Sequence, residues 1–329
     1  MDLFSLGLGQ GDKGHPPMGD APELFMALQA LDRRRQGMTT VGAGRYTYSF
    51  IQDWAKLPEG ETFGVVSSLA TDSQDRVYVF QRKDPPIVIF DPDGNYIGSW
   101  GNGAINVPHG FNIVNDLVYL TDREDSVCLK YTLDGKPLQI LGQRGVHSNT
   151  GCEKAGDLVP QASGPFNFPT EMFPSPTGDL YVSDGYRNAR IHRFSPDGQL
   201  IASWGVPGKR GPGQFHLPHS ILVDQETLLY VCDRENNRIQ IFTGDGEFTT
   251  MWTDMTRPND ISEGKDGNFY VAESSFQGSK PRISVRDRQG KVLSAWECRS
   301  AHGLWTDSRG DVYLALTGAK SVDKYVRQR

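Results

Sequence analysis

The sequence lacks several features that would assign it to a common class of protein. None of its 329 residues lie in an apolar stretch approaching 18 positions, so no transmembrane helix is expected. No extended basic run stands out, and the net charge of −6 comes from acids and bases that are interspersed along the chain. Neither nucleic acid nor a membrane is therefore an expected partner.

Cysteine is also scarce, and the N-terminus shows no pattern of a secretion signal. The four cysteines lie far apart and form no C-x-x-C pair. The first 17 residues, MDLFSLGLGQGDKGHPP, contain neither a basic region nor a sustained apolar segment. These features predict four reduced thiols in a cytoplasmic protein.

Glycine and proline, by contrast, are plentiful, with 37 and 20 residues, which suits a β-rich chain with many tight turns. One sequence motif recurs six times: a predicted strand, a turn with Asp or Gly, and an apolar–Tyr–apolar triplet. Most copies lead into a further hairpin, as in IVIFDPDGNYIGSW, whose D-G turn between apolar runs is a strong hairpin signal. The tyrosines of the six copies are Tyr78, Tyr119, Tyr181, Tyr230, Tyr270 and Tyr313.

Six copies of such a unit predict an all-β fold, a six-bladed β-propeller of four-stranded blades, rather than a β-sandwich. The sixth copy ends at SVDKYVRQR, after its third strand, and RYTYSFIQDW (45–54) is predicted to supply the missing strand. The propeller thus spans 45–329. Residues 1–44 are predicted to form a partly helical N-terminal extension, since APELFMALQALDRRR has apolar residues at helical spacing. The long insert 143–165 is predicted to be a functional lid or rim loop.

Histidine shows an unusual pattern when the copies are aligned on their tyrosines. The first strand of each blade lines the central channel. It begins eleven residues before the tyrosine, or ten residues before it in the second copy. Histidine occupies this position in alternate blades, although the chain has only seven histidines. One interpretation of this pattern is that the three histidines are simply solvated side chains in the channel. The six positions are Ser67, His109, Thr170, His219, Asn259 and His302.

Three imidazoles that converge on one axis predict a metal site. Three neutral nitrogens with a fourth position open are typical of catalytic zinc, although other divalent transition metals such as iron, cobalt or copper also accept three histidines. The intervening ring residues and the acids that directly follow two of them are candidates for contacts behind the ligands, for substrate contacts or for simple packing. These candidates are Ser67, Thr170, Glu171, Asn259 and Asp260.

The repeats resemble NHL repeats. More specifically, GPFNFPTEMFPSPTGDLYVSDGYRNARIHRFSPDGQLIASWG, followed by GQFHLPHSILV and YVCDRENNRIQIF, resembles peptidyl-α-hydroxyglycine α-amidating lyase. The resemblance implies a six-bladed propeller with an axial zinc held by His109, His219 and His302. It also implies a catalytic tyrosine at Tyr186, in SDGYRNARI, and an assisting arginine at Arg82, in VYVFQRKDPP. Enzymes of this family cleave a carbinolamide into an amide and glyoxylate.

The sequence departs from this family at several informative positions. Arg187, Tyr230 and Ile241 stand where secreted members have cysteines, so their disulfides cannot form here, which agrees with a cytoplasmic setting. Gly303 stands in place of the carboxylate that holds the family's calcium, which argues against a structural Ca²⁺. Ala301 replaces a methionine near the substrate, which argues against carrying over the peptide substrate itself.

The function predicted from these residues is that of a zinc-dependent carbon–nitrogen lyase. It would act on a small molecule with an N–C(OH) carbinolamide or similar α-hydroxy centre, giving an amide or amine and a carbonyl product. One alternative is a zinc-dependent hydrolase or hydratase, in which the same metal activates water. Another is a non-catalytic NHL scaffold, since propellers host many functions, and this alternative predicts no metal.

Overall fold

The computed structural model describes residues 39–328, and nearly all regular structure in this range is β-strand. The helix predicted around Leu24–Leu31 lies outside the described residues. The one short 3₁₀ turn within them is Arg234–Asn236. None of the helical segments in the described part of the chain has the length and hydropathy needed to cross a membrane.

The strands of the first half of the chain build the closing hairpin and three blades. The hairpin and blade 1 comprise β1 (Thr40–Ala43), β2 (Tyr46–Ile51), β3 (Val65–Thr71), β4 (Val77–Arg82), β5 (Ile87–Phe90) and β6 (Tyr96–Trp100). Blade 2 comprises β7 (Pro108–Val114), β8 (Leu117–Asp122), β9 (Val127–Thr132) and β10 (Pro137–Leu141). Blade 3 comprises β11 (Pro169–Pro174), β12 (Leu180–Asp184), β13 (Arg190–Phe194) and β14 (Leu200–Trp204).

The second half builds three further blades after a small parallel pair, β15 (Val206–Pro207) and β16 (Gln214–Phe215). Blade 4 comprises β17 (Pro218–Val223), β18 (Leu228–Asp233), β19 (Arg238–Thr243) and β20 (Phe248–Trp252). Blade 5 comprises β21 (Pro258–Glu263), β22 (Phe269–Glu273), β23 (Arg282–Arg286) and β24 (Val292–Glu297). Blade 6 begins with β25 (Gly303–Thr306), β26 (Val312–Leu316) and β27 (Ser321–Arg327).

These sheets confirm the predicted all-β, six-bladed propeller of four-stranded blades. Within each of blades 1 to 5 the four strands are antiparallel and follow one another in chain order. The six innermost strands contact one another in sequence, and the last of them, β25, contacts the first, β3, which closes the ring. The start of every innermost strand is therefore brought to the same end of one central channel.

The sixth sheet is completed from the other end of the chain. Strand β2 lies antiparallel to β27, with Ile51 opposite Lys324. Strand β1 then adds a fifth, outermost strand by pairing with β2. The sequence analysis placed residues 40–43 in the N-terminal extension, whereas they belong to this sheet. The reason is a tight turn at Gly44–Arg45, whose glycine adopts a left-handed φ of 56° and folds β1 back onto β2.

The hydrophobic core lies between neighbouring sheets, and the repeated tyrosines are buried in it. In three blades the tyrosine hydroxyl donates to the aspartate of the preceding turn, as from Tyr313 to Asp307 at 3.1 Å. The same carboxylate accepts backbone N–H groups of its own turn. Turn and tyrosine thus form one hydrogen-bonded unit, which explains why the two recur together in the sequence.

Candidate metal centre

The structure brings the three ring histidines together on the channel axis. His109 and His219 lie on the innermost strands of blades 2 and 4, and His302 directly precedes that of blade 6. Their ring centroids are 4.6–4.9 Å apart. One nitrogen of each ring lies within 4.8 Å of the other two. Histidine is thus placed on every second blade, around a single point.

The other ring nitrogen of each histidine is tied to the next blade. The Nδ1 atoms of His109, His219 and His302 each lie 2.7 Å from a backbone carbonyl oxygen. The carbonyls belong to Thr170, Asn259 and Ser67, in that order. Because a carbonyl can only accept, each Nδ1 carries the proton and each Nε2 presents its lone pair to the axis. This second hydrogen bond is the usual support of a metal-binding imidazole.

Burial keeps these imidazoles neutral. Desolvation is the main cause that lowers the pKa of His109 and His219 well below the ordinary value, and it lowers the pKa of His302 to about 3. The Nε2 atoms of His109 and His302 are buried and have no hydrogen-bond partner in the described chain. Three neutral, inward-facing nitrogens fit a divalent transition metal such as zinc.

The residues between the histidines contact the imidazoles through their backbone carbonyls, while their side chains bond elsewhere. The Thr170 hydroxyl is held by Ser183 and the carbonyl of Pro218, and the Ser67 hydroxyl donates to the carbonyl of Phe80. The Asn259 amide donates to the carbonyl of Ala301. These side chains therefore fix the carbonyls that orient the imidazoles.

Glu171 and Asp260 tie neighbouring blades together at the same level of the channel. Glu171, in blade 3, accepts from Asn112 of blade 2 and from the backbone of Ile221 of blade 4, at 3.1 and 3.0 Å. Asp260, in blade 5, accepts from Ser220 of blade 4 and the backbone of Leu304 of blade 6, both at 2.7 Å. Burial raises the pKa of both carboxyls, that of Asp260 to about 6. Both groups are occupied as cross-links between inner strands.

Tyr186 and Arg82 lie at the channel end nearest the histidines. The Tyr186 hydroxyl is 3.3 Å from Nε2 of His219, and its ring centroid is 5.0 Å from that of His109. Arg82 ends strand β4 and donates from Nε to the carbonyl of Pro108, next to His109, at 3.0 Å. Burial and the neighbouring charge of Arg123 lower the pKa of Arg82. Both residues thus border the space into which the imidazoles point.

Two arginines that the sequence analysis did not single out border the same space. The guanidinium carbons of Arg123 and Arg234 lie 4.9 and 5.7 Å from the centre of the Tyr186 ring. Each stands four residues after the tyrosine of its repeat, as Arg82 does. The alignment that revealed the histidines therefore contained the signal for these arginines as well.

Comparisons with known proteins agree with the repeat architecture. The NHL repeat profile matches residues 215–242. Human NHL repeat-containing protein 3 is 32% identical over 302 residues, covering 83% of this chain and 82% of that protein. A probable peptidyl-alpha-hydroxyglycine alpha-amidating lyase of Caenorhabditis elegans is 28% identical over 243 residues, covering 70% of this chain and 66% of that one.

A solved streptogramin B lyase shares the fold with a TM-score of 0.61, at 14% identity, covering 87% of this chain and 100% of that chain. At this identity the likeness concerns the fold alone. The sequence similarity to the human protein, over most of both chains, is the stronger finding. The chain belongs to the family of NHL-repeat propellers that includes human NHL repeat-containing protein 3.

Proposed function

We propose that the three histidines hold a divalent transition metal, zinc in the first instance, and that the protein is a metal-dependent carbon–nitrogen lyase. The observation that carries this proposal is the set of three Nε2 lone pairs on one axis, each fixed by an Nδ1–carbonyl bond. The similarity to an amidating lyase supports it. The substrate would be a small molecule with an N–C(OH) carbinolamide or similar α-hydroxy centre.

A metal bound by His109, His219 and His302 would supply Lewis acidity toward a substrate oxygen. The chain's own contribution begins with Tyr186, whose oxygen lies beside the metal-facing nitrogen of His219. From this position Tyr186 accepts the proton of the substrate hydroxyl. The hydroxyl oxygen then forms the carbonyl, the C–N bond breaks with its electron pair going to nitrogen, and Tyr186 returns the proton to that nitrogen. No water is consumed.

Arg82 would bind the substrate in this scheme. Its Nε donates to the carbonyl of Pro108, and its two terminal nitrogens have no hydrogen-bond partner among the residues that the structure describes. These nitrogens can grip a substrate carboxylate in a bidentate pair.

The four cysteines are free in the structure, which is compatible with a reducing compartment. A cytoplasmic location is part of the proposal.

The test is a reaction with an α-hydroxyglycine-type amide in ¹⁸O-labelled water, followed by mass spectrometry of the nitrogen-containing product. A lyase releases the primary amide with no ¹⁸O, because the amide oxygen does not come from water. A hydrolase that cuts the acyl C–N bond instead gives a carboxylic acid with one ¹⁸O. No turnover above the rate without protein, across a panel of such amides and related hydroxy acids, would favour a non-catalytic scaffold.

A further inference from the structure

Three guanidinium groups converge on the mouth of the channel above the histidines. Arg82, Arg123 and Arg234 occupy the same repeat position in blades 1, 2 and 4. Arg123 and Arg234 both lie over the Tyr186 ring, and Arg82 is held by the carbonyl of Pro108, next to His109. This concentration of positive charge is local, because the chain as a whole carries a net charge of −6.

The protein compensates only part of this charge. Arg123 pairs with the neighbouring Glu124 at 2.5 Å, and that glutamate side chain is 42% exposed. Arg234 pairs with Glu235, which is shared with Arg257. Arg82 has no carboxylate within ion-pair distance among the residues that the structure describes. Because the three imidazoles are neutral, they would not offset the positive charge of a bound divalent ion.

Arg123 is held in place for binding rather than left mobile. Its guanidinium lies over the ring of Tyr186 at 4.9 Å and over that of Phe168 at 5.7 Å. Its side chain is only 15% exposed, and its Nε is buried without a hydrogen-bond partner. Stacking on two aromatic rings fixes the planar fork. An arginine so fixed loses little freedom when it binds an anion.

We propose that the substrate of this site carries two acidic groups, and that Arg123 is the residue that selects the second one. The first acidic group pairs with Arg82, and the second lies against Arg123, with Arg234 adding to the field. This inference rests on the proposed function for the first group and adds to it a class of substrate, small N–C(OH) compounds that carry two carboxylates. A substrate with only one carboxylate would leave Arg123 without an acidic group to bind.

The experiment compares the binding of glycolate, a hydroxy acid with one carboxylate, with that of tartronate, which has two. Isothermal calorimetry measures both dissociation constants for the wild type, for Arg123→Gln and for Arg309→Gln, an arginine on the opposite face of the propeller that serves as control. We expect wild type and Arg309→Gln to prefer tartronate by about ten-fold or more, the usual worth of one charge-assisted contact. Arg123→Gln should lose most of this preference and keep its affinity for glycolate.

A third variant, Glu124→Gln, tests the same contact in the opposite direction. It removes the carboxylate that competes for Arg123, so the preference for tartronate should rise. Equal affinities for the two acids in the wild type would overturn the inference. So would an unchanged preference in folded Arg123→Gln.

Because tartronate also chelates metals better than glycolate does, every measurement is repeated on protein freed of metal. A native protein that contains no metal and still prefers the dianion would sink the proposed function while supporting this inference. A metal-containing protein with no such preference would sink this inference alone.

Discussion

At the scale of single residues, the three ring histidines differ from the chain's other described histidines in the contacts of their nitrogens. His192 has both nitrogens occupied, by Ser203 at 2.7 Å and by Asp184 at 3.3 Å. His216 directs Nε2 to the carbonyl of Gly156. Only in the ring set does every Nδ1 donate to a neighbouring blade while Nε2 faces two other imidazoles. This arrangement separates candidate ligands from structural histidines.

The sequence predicted the grouping of these histidines but not their support. The positions followed from counting back from the repeated tyrosines, because the repeat fixes where each inner strand begins. The carbonyls of Ser67, Thr170 and Asn259 had no signal of their own, because every residue has a carbonyl and only the relative rotation of the blades decides where it points. Side-chain identity was therefore informative for the ligands and uninformative about how their partners contact them.

Tyr186→Phe tests the proton transfer assigned to the phenol. The phenyl ring keeps its packing against His109 and Arg123, so the fold and bound metal should be retained. Turnover should fall by about 10²–10⁴-fold, the usual contribution of a positioned acid–base group. Steady-state kinetics with metal analysis of the same sample measures both effects. Unchanged turnover would remove Tyr186 from the mechanism.

At the scale of elements, the site depends on how closely the innermost strands approach one another. A Cβ on Gly110 would lie 2.4 Å from the carbonyl oxygen of Thr170, the atom that holds His109. Gly303 is similarly close to the backbone of Ser68. Both glycines follow a ring histidine in sequence. Their role is steric. The family resemblance identified Gly303 only as a missing calcium ligand, but close packing of the inner strands also requires a glycine there.

Gly110→Ala should therefore weaken both the fold and the site. The added methyl group forces the two inner strands apart, which should lower the free energy of unfolding by about 1–3 kcal/mol and reduce the bound metal. Urea denaturation and metal analysis measure these changes. Gly318→Ala is the matched control, because a Cβ there meets nothing within 4 Å. Equal stability of the two variants would contradict the close-approach argument.

At the scale of the whole molecule, the ring is closed by pairing the two ends of the propeller. The need for this closure could be predicted from the sequence, because the sixth repeat ends after three strands. The fifth strand, β1, could not be predicted from the sequence, because TVGA is short, carries a glycine and shows no alternation of apolar and polar residues. It pairs only with β2 and lies at the outer edge of the sixth sheet.

Substitutions of Tyr48, on β2, test how much this closure contributes to the free energy of unfolding. It is fully buried, packs on Trp296 of blade 5 and shares a hydrogen bond of 2.9 Å with Tyr270. Tyr48→Ala should lower the free energy of unfolding by about 3–5 kcal/mol, since a large aromatic side chain is removed from the core. Tyr48→Phe, which loses only the hydroxyl, should cost about 1–3 kcal/mol. Similar losses in both variants would show that packing across the closure contributes little.

The metal content of the purified protein tests the central claim most directly. Protein prepared without chelators should contain about one transition-metal ion per chain by mass spectrometry of the elements. His219→Ala should lose it while remaining folded by circular dichroism, and His216→Ala, which changes a histidine outside the ring, should keep it. A native protein without a transition metal, or a His219→Ala variant that binds as much as wild type, would contradict the account.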